Sequence, residues 1–216
     1  MAGGARRPAV TLVALLLVYA LIVAFDTTAF TGPLRIAGVA VALVGALRWR
    51  RRRLAPALAV AGVAFGLSVA ASVTGAGDLA VALSAGAMLL VVAAATAAVG
   101  RTVLRPATEE QAVAGALSVY LLLALFFATL HQLLAAVTAG PYVHGVDRAD
   151  DTAGFLYFSV ITITTVGLGD LTPVGDAARA VTLSEALVGQ LYLVAIVGAV
   201  VSAWTRKPRP DHPDPH

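Results

Sequence analysis

The chain of 216 residues contains no cysteine, which excludes disulfide bonds, thiol catalysis and metal sites built from thiolates. Charge is scarce as well, because Asp, Glu, Lys and Arg make up 12% of the residues, about half their share in soluble domains. The net charge of +3 is too small an excess to predict a nucleic-acid partner. No group of His, Asp and Glu has the spacing of a metal centre or an acid–base site, so neither an enzyme nor a cofactor is expected.

The chain is rich in hydrophobic residues, and many of them lie in long uninterrupted stretches. Hydrophobic residues make up 59% of it and the mean hydropathy is +0.88, values typical of a protein that lies in a lipid bilayer. A spanning helix needs about 20 mostly apolar residues, and the second of six candidate stretches reaches that length only with its flanks. The sequence therefore predicts an all-α membrane protein with six transmembrane helices, at residues 8–25, 33–47, 54–73, 79–100, 111–139 and 177–204.

The distribution of cations predicts the topology of these helices. Twelve of the fifteen lie before the first stretch, between the second and third, between the fourth and fifth, or after the sixth, and Arg35, Arg148 and Arg179 lie on the other side. Cytoplasmic loops carry an excess of Lys and Arg, so both termini are predicted in the cytoplasm of a protein of the inner or plasma membrane. The first apolar run, 9–25, is longer than the core of a signal peptide and is expected to stay uncleaved.

Five of the arginines, at position 48 and at 50–53, are bunched between the second and third stretches. A voltage sensor needs arginines spaced along a spanning helix, and the fourth stretch contains none before Arg101. We interpret the cluster as a topological anchor that touches lipid headgroups. Residues 1–105 are thus predicted as a four-helix bundle without an arginine ladder, and steep voltage gating is not expected.

The segment between the last two stretches, 140–176, fits neither a tight loop nor a spanning helix. A polar turret at 140–151 ends in Asp150, Asp151 and Thr152, which suit a helix N-cap, and an apolar run over 154–165 follows. Twelve helical residues cover about 18 Å, a little over half of the hydrocarbon thickness, so a pore helix at 152–164 can enter the bilayer without crossing it. Non-helical backbone at that depth is tolerated only where it is buried in protein or lines a watery path.

The sequence that follows this half-length helix is Thr164-Thr165-Val166-Gly167-Leu168-Gly169-Asp170. It closely resembles the selectivity filter of potassium channels, TVGYG followed by Asp. The order of outer helix (109–139), turret, pore helix, filter (165–170) and inner helix (177–204) also resembles the pore module of that superfamily, in its prokaryotic two-helix form. The resemblance covers about residues 111–204 of a module predicted at 106–204, and implies a homotetramer that conducts K⁺ passively.

The physics of the filter string agrees with the resemblance. A dehydrated cation needs a cage of oxygens, and backbone carbonyls supply one without fixed charge. Successive carbonyls can face one axis only if the backbone alternates with left-handed conformations, which Gly167 and Gly169 tolerate. By the family pattern, Asp170 stands at the outer mouth. The same pattern implies that the permeant K⁺ path consists of backbone carbonyls and the Thr165 hydroxyl, along Thr165, Val166, Gly167, Leu168 and Gly169.

The residues that the resemblance implies as filter supports are Tyr157, Phe158, Ile161 and Thr164, and several depart from the common pattern. Tyr157 and Phe158 stand where many members carry two tryptophans, which keeps the aromatic rings and loses the indole donors. Ile161 stands where some members carry a glutamate that bonds the mouth aspartate, so Asp170 needs another partner or none. The filter itself departs at Leu168, which replaces a tyrosine and its bracing hydroxyl.

Two residues of the sixth stretch are candidates for gating. Glu185 is the only ionisable residue between Arg179 and Arg206, and a carboxyl at membrane depth is costly enough to be a functional candidate. It either bonds behind the filter, partly buried, or lines the cavity as a charge. Gly189 lies on the same helical face, at the position of the family's inner-helix hinge, and is either that hinge or a close-packing glycine.

Three further features have plainer interpretations. His131 and Gln132 on the fifth stretch are expected to form hydrogen bonds between helices. The string at 74–78, Thr-Gly-Ala-Gly-Asp, looks like a degenerate second filter but follows a full span, which favours a glycine turn. The tail at 205–216 is expected to be too short for a soluble ligand-binding domain.

The sequence therefore predicts a potassium-selective homotetrameric channel in the lipid bilayer. Two alternatives stay open at this point: a weakly selective cation channel, and a non-conducting membrane protein that serves assembly.

Overall fold

The computed structural model describes residues 77–103 and 109–205, together with residues 12, 13 and 16, which are helical. The rest of the first three predicted stretches, the arginine cluster at 48–53 and the tail from residue 206 lie outside the described residues. The four-helix bundle and the cytoplasmic termini therefore stay predictions. Of the possible second filter at 74–78, the described positions Gly77 and Asp78 begin a helix.

The described part of the chain is mostly helical, as predicted. Three of its helices contain apolar segments of 19, 26 and 25 residues, long enough to cross a membrane, and the fourth is apolar but only 12 residues long. In chain order these helices are α1 (Gly77–Val103), α2 (Glu109–Val137), α3 (Thr152–Ile163) and α4 (Gly175–Thr205). Helix α2 ends two residues before the predicted boundary and α4 begins two residues before its own, differences within the ordinary variation of helix ends.

Helix α2 is the centre of the described fold, because α1, α3 and α4 all pack against it. The contact with α1 is a continuous apolar core that Leu156 of α3 joins. Small residues such as Ala95 and Ala128 alternate with larger ones there, which lets the two helices approach closely. The remaining buried members are Met88, Val91, Val92, Val99, Val119, Leu122 and Leu125.

Helix α3 begins at a well-formed cap. The Asp151 carboxylate accepts a hydrogen bond from the Gly154 N–H at 2.7 Å, which satisfies one of the free amides of the first turn. Phe155, Leu156, Phe158 and Ile163 are buried, so the short helix is held inside the subunit on one side. At 1.5 Å per residue α3 spans about 18 Å, which is too short to cross a bilayer.

A two-stranded ribbon connects the turret to the segment that follows the filter. Strands β1 (Val143–His144) and β2 (Thr172–Pro173) are antiparallel, with Val143 opposite Pro173 and His144 opposite Thr172. The Val174 N–H adds a bond of 2.9 Å to the Tyr142 carbonyl. Beneath the ribbon lies a second apolar cluster, built from Tyr142, Val143, Val146, Phe155, Phe158 and Ala178. The ribbon thus holds the outer end of the filter segment against the turret.

Helix α4 is attached to its own subunit along a single narrow stripe. Ala178, Glu185 and Gly189 are buried and Tyr192 is half-buried, and this spacing of seven, four and three residues places them on one helical face. Only 11% of the apolar segment of α4 is buried, compared with 56% of that of α2. Much of the remaining described surface of α4 is exposed, including Leu183, Leu187, Leu191, Val194 and Val197.

Candidate functional site

The backbone from Thr165 to Gly169 alternates between ordinary and left-handed conformations. Positive φ angles occur at Thr165 (59°), Gly167 (50°) and Gly169 (81°), one at every second residue. The two glycines adopt such angles freely, whereas a side chain makes them costly at Thr165, by about 1–2 kcal/mol. An alternating backbone of this kind can direct successive carbonyls to the same side. The left-handed threonine is a feature that sequence reasoning missed, because threonine by itself favours no such conformation.

The amide groups at the start of this segment turn back into α3. The N–H of Thr165 donates to the Thr162 carbonyl at 2.9 Å, and those of Val166 and Gly167 both donate to the Ile161 carbonyl, at 2.9 and 3.0 Å. Their hydrogen-bonding capacity is therefore used inside the subunit. All residues from 164 to 170 are exposed in the single chain, with Val166 at 58% and Leu168 at 65%. The segment is thus a stretch of non-helical backbone that its own subunit holds from behind and leaves open in front.

The mouth aspartate has a partner within the described structure. The Tyr157 hydroxyl donates to Asp170 Oδ2 at 2.8 Å. The tyrosine therefore supplies a hydrogen-bond donor in place of the indole N–H groups that this sequence lacks. The pKa of the Tyr157 phenol is raised, mainly because of this hydrogen bond and to a smaller extent because of desolvation and the charge of Asp170. Ile161 is buried and contributes its carbonyl to the filter amides rather than a side-chain bond to Asp170. The bond between pore helix and mouth is therefore made one turn earlier along α3.

The inner end of the filter is supported by two tyrosines that sequence reasoning did not single out. The Tyr120 hydroxyl of α2 donates to the Ile163 carbonyl at 2.8 Å, directly before the filter. The Tyr192 ring of α4 stacks on Tyr120 with centroids 6.0 Å apart, and its hydroxyl donates to the Ala116 carbonyl at 2.7 Å. The spacing of Tyr192 from Gly189 places it on the buried stripe of α4, but no sequence signal identified Tyr120.

Gly189 lies where α4 approaches the end of the pore helix most closely. A Cβ atom at this position would contact the Ile163 side chain and would come within 2.7 Å of the Ile163 carbonyl oxygen, much closer than real Cβ atoms come. Gly189 therefore has a packing role that no other residue can fill without displacing α3 or α4. Its role as a hinge stays a prediction.

Glu185 and His131 meet in the interior of the subunit. His131 Nε2 lies 3.1 Å from Glu185 Oε2, and both side chains are completely buried, whereas the sequence predicted a partly buried carboxyl. On the other side of the ring, His131 Nδ1 lies 3.1 Å from the Tyr142 hydroxyl. The Phe158 ring packs edge-on against the imidazole with centroids 5.1 Å apart. The predicted interhelical role of His131 thus has a specific partner, 54 residues further along the chain.

The other predicted site residues have simpler surroundings. The Thr164 hydroxyl donates back to the Val160 carbonyl at 2.6 Å and closes the last turn of α3. Gln132 donates to the Thr152 hydroxyl at 3.1 Å, which links α2 to the start of the pore helix. Within the part of the chain that the structure describes, no three His, Asp or Glu side chains come together as a metal centre.

Comparison with known proteins places this architecture in a family. Residues 115–206 match the family model described as "Ion channel". Protein LctB of Bacillus caldotenax is 34% identical over 93 residues, which are 41% of this chain and 69% of LctB. No solved structure matches the chain significantly. The matched region contains α3, the filter segment and α4, together with α2 from its second turn onwards. The chain therefore belongs to the ion channel family, and it is an integral membrane protein.

Proposed function

We propose that the protein is a potassium-selective channel that conducts K⁺ passively across the cell membrane as a homotetramer. The observation that carries the proposal is the alternating backbone at Thr165, Gly167 and Gly169, at the end of a helix too short to cross the bilayer. Carbonyls aligned in this way replace the hydration shell of a monovalent cation without binding it too tightly to leave. Thr165, Val166, Gly167, Leu168 and Gly169 would line the path, and Asp170 would concentrate cations at its outer end.

What a single subunit leaves uncovered supports an assembly of several copies, and the resemblance to potassium channels implies that there are four. Bare non-helical backbone cannot face hydrocarbon, because each unsatisfied polar group there costs several kcal/mol. One filter segment cannot surround an ion, so several copies must be arranged about a cyclic axis. The open face of α4 and the exposed side chains of Val166 and Leu168 offer the apolar surface for this assembly. Lipid would cover the rest of the chain, and neither a cofactor nor a soluble ligand domain is needed for conduction.

The experiment that tests the proposal is a flux assay with the purified full-length protein in liposomes. Potassium flux is compared with sodium flux at equal concentration, and barium is added as a blocker. We expect barium-sensitive flux that favours K⁺ over Na⁺ by at least about tenfold. Protein verified as a tetramer that carries no potassium flux under any membrane potential or pH would contradict the proposal.

A weakly selective cation channel is the second candidate, favoured by one specific observation. Leu168 is 65% exposed and has no hydroxyl, so it cannot donate a hydrogen bond to the layer behind the filter as a tyrosine could. A less rigid filter discriminates less well between ions of different size. Equal sodium and potassium flux, both blocked by barium, would identify this function, and intact tetramers without flux would identify a non-conducting assembly protein.

A further inference from the structure

A chain of polar side chains runs through the interior of the described pore module at the level of the pore helix. It begins at the Tyr142 hydroxyl, continues through both nitrogens of His131 and ends at the Glu185 carboxyl. Ser159 of α3 lies near the same carboxyl, without a hydrogen bond of regular geometry. All four side chains are buried, with Tyr142 exposed by 3% and the others by 0%. We call Tyr142, His131, Glu185 and Ser159 the buried clamp.

The buried clamp brings together residues from four parts of the pore module. Tyr142 belongs to the turret, His131 to α2, Ser159 to the pore helix and Glu185 to the inner helix. Glu185 is the one carboxylic acid of the buried stripe of α4, a helix that its subunit otherwise hardly covers. One turn further along the same stripe, Gly189 lies against Ile163, the residue two positions before Thr165. A displacement of α4 at Glu185 is therefore transmitted to the pore helix and to the start of the filter.

Burying these groups is expensive, which argues against an incidental contact. A carboxyl and an imidazole at membrane depth are tolerated only when they pair with one another or with other polar groups. Glu185 Oε1 and the Ser159 hydroxyl have no regular hydrogen bond within the described residues, so even this chain leaves part of the cost uncompensated. Apolar residues of the same size would pack the site more stably. The arrangement is thus better suited to fixing a geometry than to maximising stability.

Resting on the proposed function, we propose that Glu185 and His131 are positioning residues of the ion path. Through Ser159 and Tyr142 they hold the inner helix, the pore helix and the turret in one register. The filter stays in its selective conformation while this register is kept. Glu185 does not line a cavity in this arrangement, because its side chain is completely buried behind α3 and away from the open face of α4.

Two proton arrangements satisfy the clamp, and both use the same contacts. Either the Tyr142 hydroxyl donates to Nδ1 while Nε2–H donates to the carboxylate, or a protonated carboxyl donates to Nε2 while Nδ1–H donates to the tyrosine. A glutamine at position 185 can take the place of the carboxylate in the first arrangement, because its oxygen accepts from Nε2–H. Its amide group can also donate to Ser159. A leucine at position 185 can make none of these bonds. The conservative and the apolar variant therefore separate hydrogen bonding from packing.

The experiment compares full-length tetramers that carry Glu185→Leu, His131→Leu, the double substitution and Glu185→Gln. His144→Leu is the matched control, because His144 is an exposed histidine of the turret outside the clamp. For each variant the thermal midpoint of the tetramer and the ratio of potassium to sodium flux are measured. Each single leucine removes one partner of the Glu185–His131 contact and leaves a buried polar atom of the other residue unsatisfied, so we expect it to lower the midpoint, and the double variant to recover most of the loss.

The flux ratio is the measurement that a merely structural role would not change. We expect the double leucine variant to lose selectivity by about tenfold despite its recovered stability, as loss of one hydrogen bond to a charged group implies. Glu185→Gln should stay within about twofold of the unmodified protein, and His144→Leu should match it. A stable double leucine variant with an unchanged flux ratio would overturn the proposal, as would a loss of selectivity in Glu185→Gln equal to that in Glu185→Leu.

A milder variant keeps the proposal testable if the leucine substitutions prevent assembly. Tyr142→Phe removes the hydroxyl that bonds His131 at one end of the clamp, and it should lower the flux ratio by about threefold. An unchanged ratio in this variant would contradict the proposal. The outcome also separates the clamp from the proposed function: unmodified tetramers without potassium flux contradict the channel, whereas selective flux that all clamp variants retain contradicts only the positioning role.

Discussion

Helices α2 and α4 have apolar segments of similar length but different surroundings. Their apolar segments contain 26 and 25 residues with mean hydropathies of 2.3 and 1.8, yet 56% of the first is buried in the subunit and 11% of the second. Helix α2 is a core helix that apolar side chains cover on several sides. Helix α4 touches its own subunit through one stripe and leaves the rest for lipid, water or other copies. Hydropathy thus identifies a spanning helix, but not what covers it.

The same contrast divides the filter from its supports. The open side consists of the backbone from Thr165 to Gly169 and the uncovered face of α4, where function depends on backbone conformation and on access. The supporting side is buried and consists of side-chain hydrogen bonds and a close helix contact. Substitutions on the open side should therefore change ion flow without unfolding the subunit, and those on the supporting side should change stability and flow together.

The largest effect is expected from Gly167→Ala in the filter. A side chain at φ 50° costs about 1–2 kcal/mol in each copy and would shift the carbonyls of the proposed ion path. We expect selective potassium flux in liposomes to disappear while the tetramer persists. Gly140→Ala is the control, because Gly140 also has a positive φ of 94° and open space around it, but lies in the turret. Equal losses of flux in both variants would show that backbone strain alone, without an ion path, explains the result.

Gly189→Ala tests the close contact between α4 and the pore helix. The added methyl group needs space that the Ile163 carbonyl occupies, and such overpacking costs about 1–3 kcal/mol. We expect a lower thermal midpoint of the tetramer and reduced flux. Gly198→Ala, in the same helix with nothing within 4 Å, should leave both unchanged or raise the midpoint slightly. Identical midpoints for the two variants would contradict the packing role of Gly189.

Gln190→Cys asks whether the open face of α4 lines water. Gln190 is a polar residue on the exposed side of an apolar helix, and a polar side chain at membrane depth favours a water-filled path over lipid. The unmodified chain has no cysteine, so a cationic, membrane-impermeant thiol reagent can react only with the introduced thiol. We expect reaction to block most of the flux. Leu117→Cys, on the exposed side of α2, should not react, and reaction of neither thiol would place Gln190 away from the pore.

A smaller effect is expected from Tyr157→Phe, which removes the bond to Asp170 and keeps the ring. The bond is exposed, so its loss should leave the tetramer intact and shorten the period of selective flux by about threefold. The decay of potassium flux with time in liposomes is the measurement. Asp170→Asn should reproduce part of the change, because it weakens the same bond. An unaltered decay would mean that the filter mouth is held by other contacts.

The smallest expected effect is a dependence of stability on pH that arises from the Tyr142 phenol. Burial, with the charge of Glu185 as a second cause, raises the pKa of Tyr142 from 10.0 to about 12. A pKa raised in the folded state favours the protonated form, so this contribution is complete below pH 10 and disappears between pH 10 and about pH 12. Spectrophotometric titration should show that some phenols ionise late, and Tyr142→Phe should reduce the late step by one phenol equivalent. A late step of unchanged size in Tyr142→Phe would show that Tyr142 does not contribute to it.

Sequence reasoning was most successful where a property is local. The helical class, the half-length helix and its capping residues depend on composition and on contacts within a few residues, and the structure has α3 at Thr152–Ile163 with Asp151 as its cap. The positive φ angles at Gly167 and Gly169 were predictable for the same reason, since glycine accepts them at little cost. The partner of Asp170 was not predicted, because a tyrosine one turn before the expected position had to be oriented by the pore helix.

By itself, then, the sequence determined that this protein lies in a membrane, that a half-length helix follows the turret and that residues 165–170 are the candidate filter. Those properties follow from hydropathy, helix length and the backbone freedom of glycine, all of which act over short distances along the chain. Only the tertiary structure decided that Glu185 meets His131, that Gly189 touches Ile163 and that Tyr120 supports the end of the pore helix. These contacts join residues 26 to 54 positions apart, and helical periodicity fixes a residue's face but not the partner that packs against it.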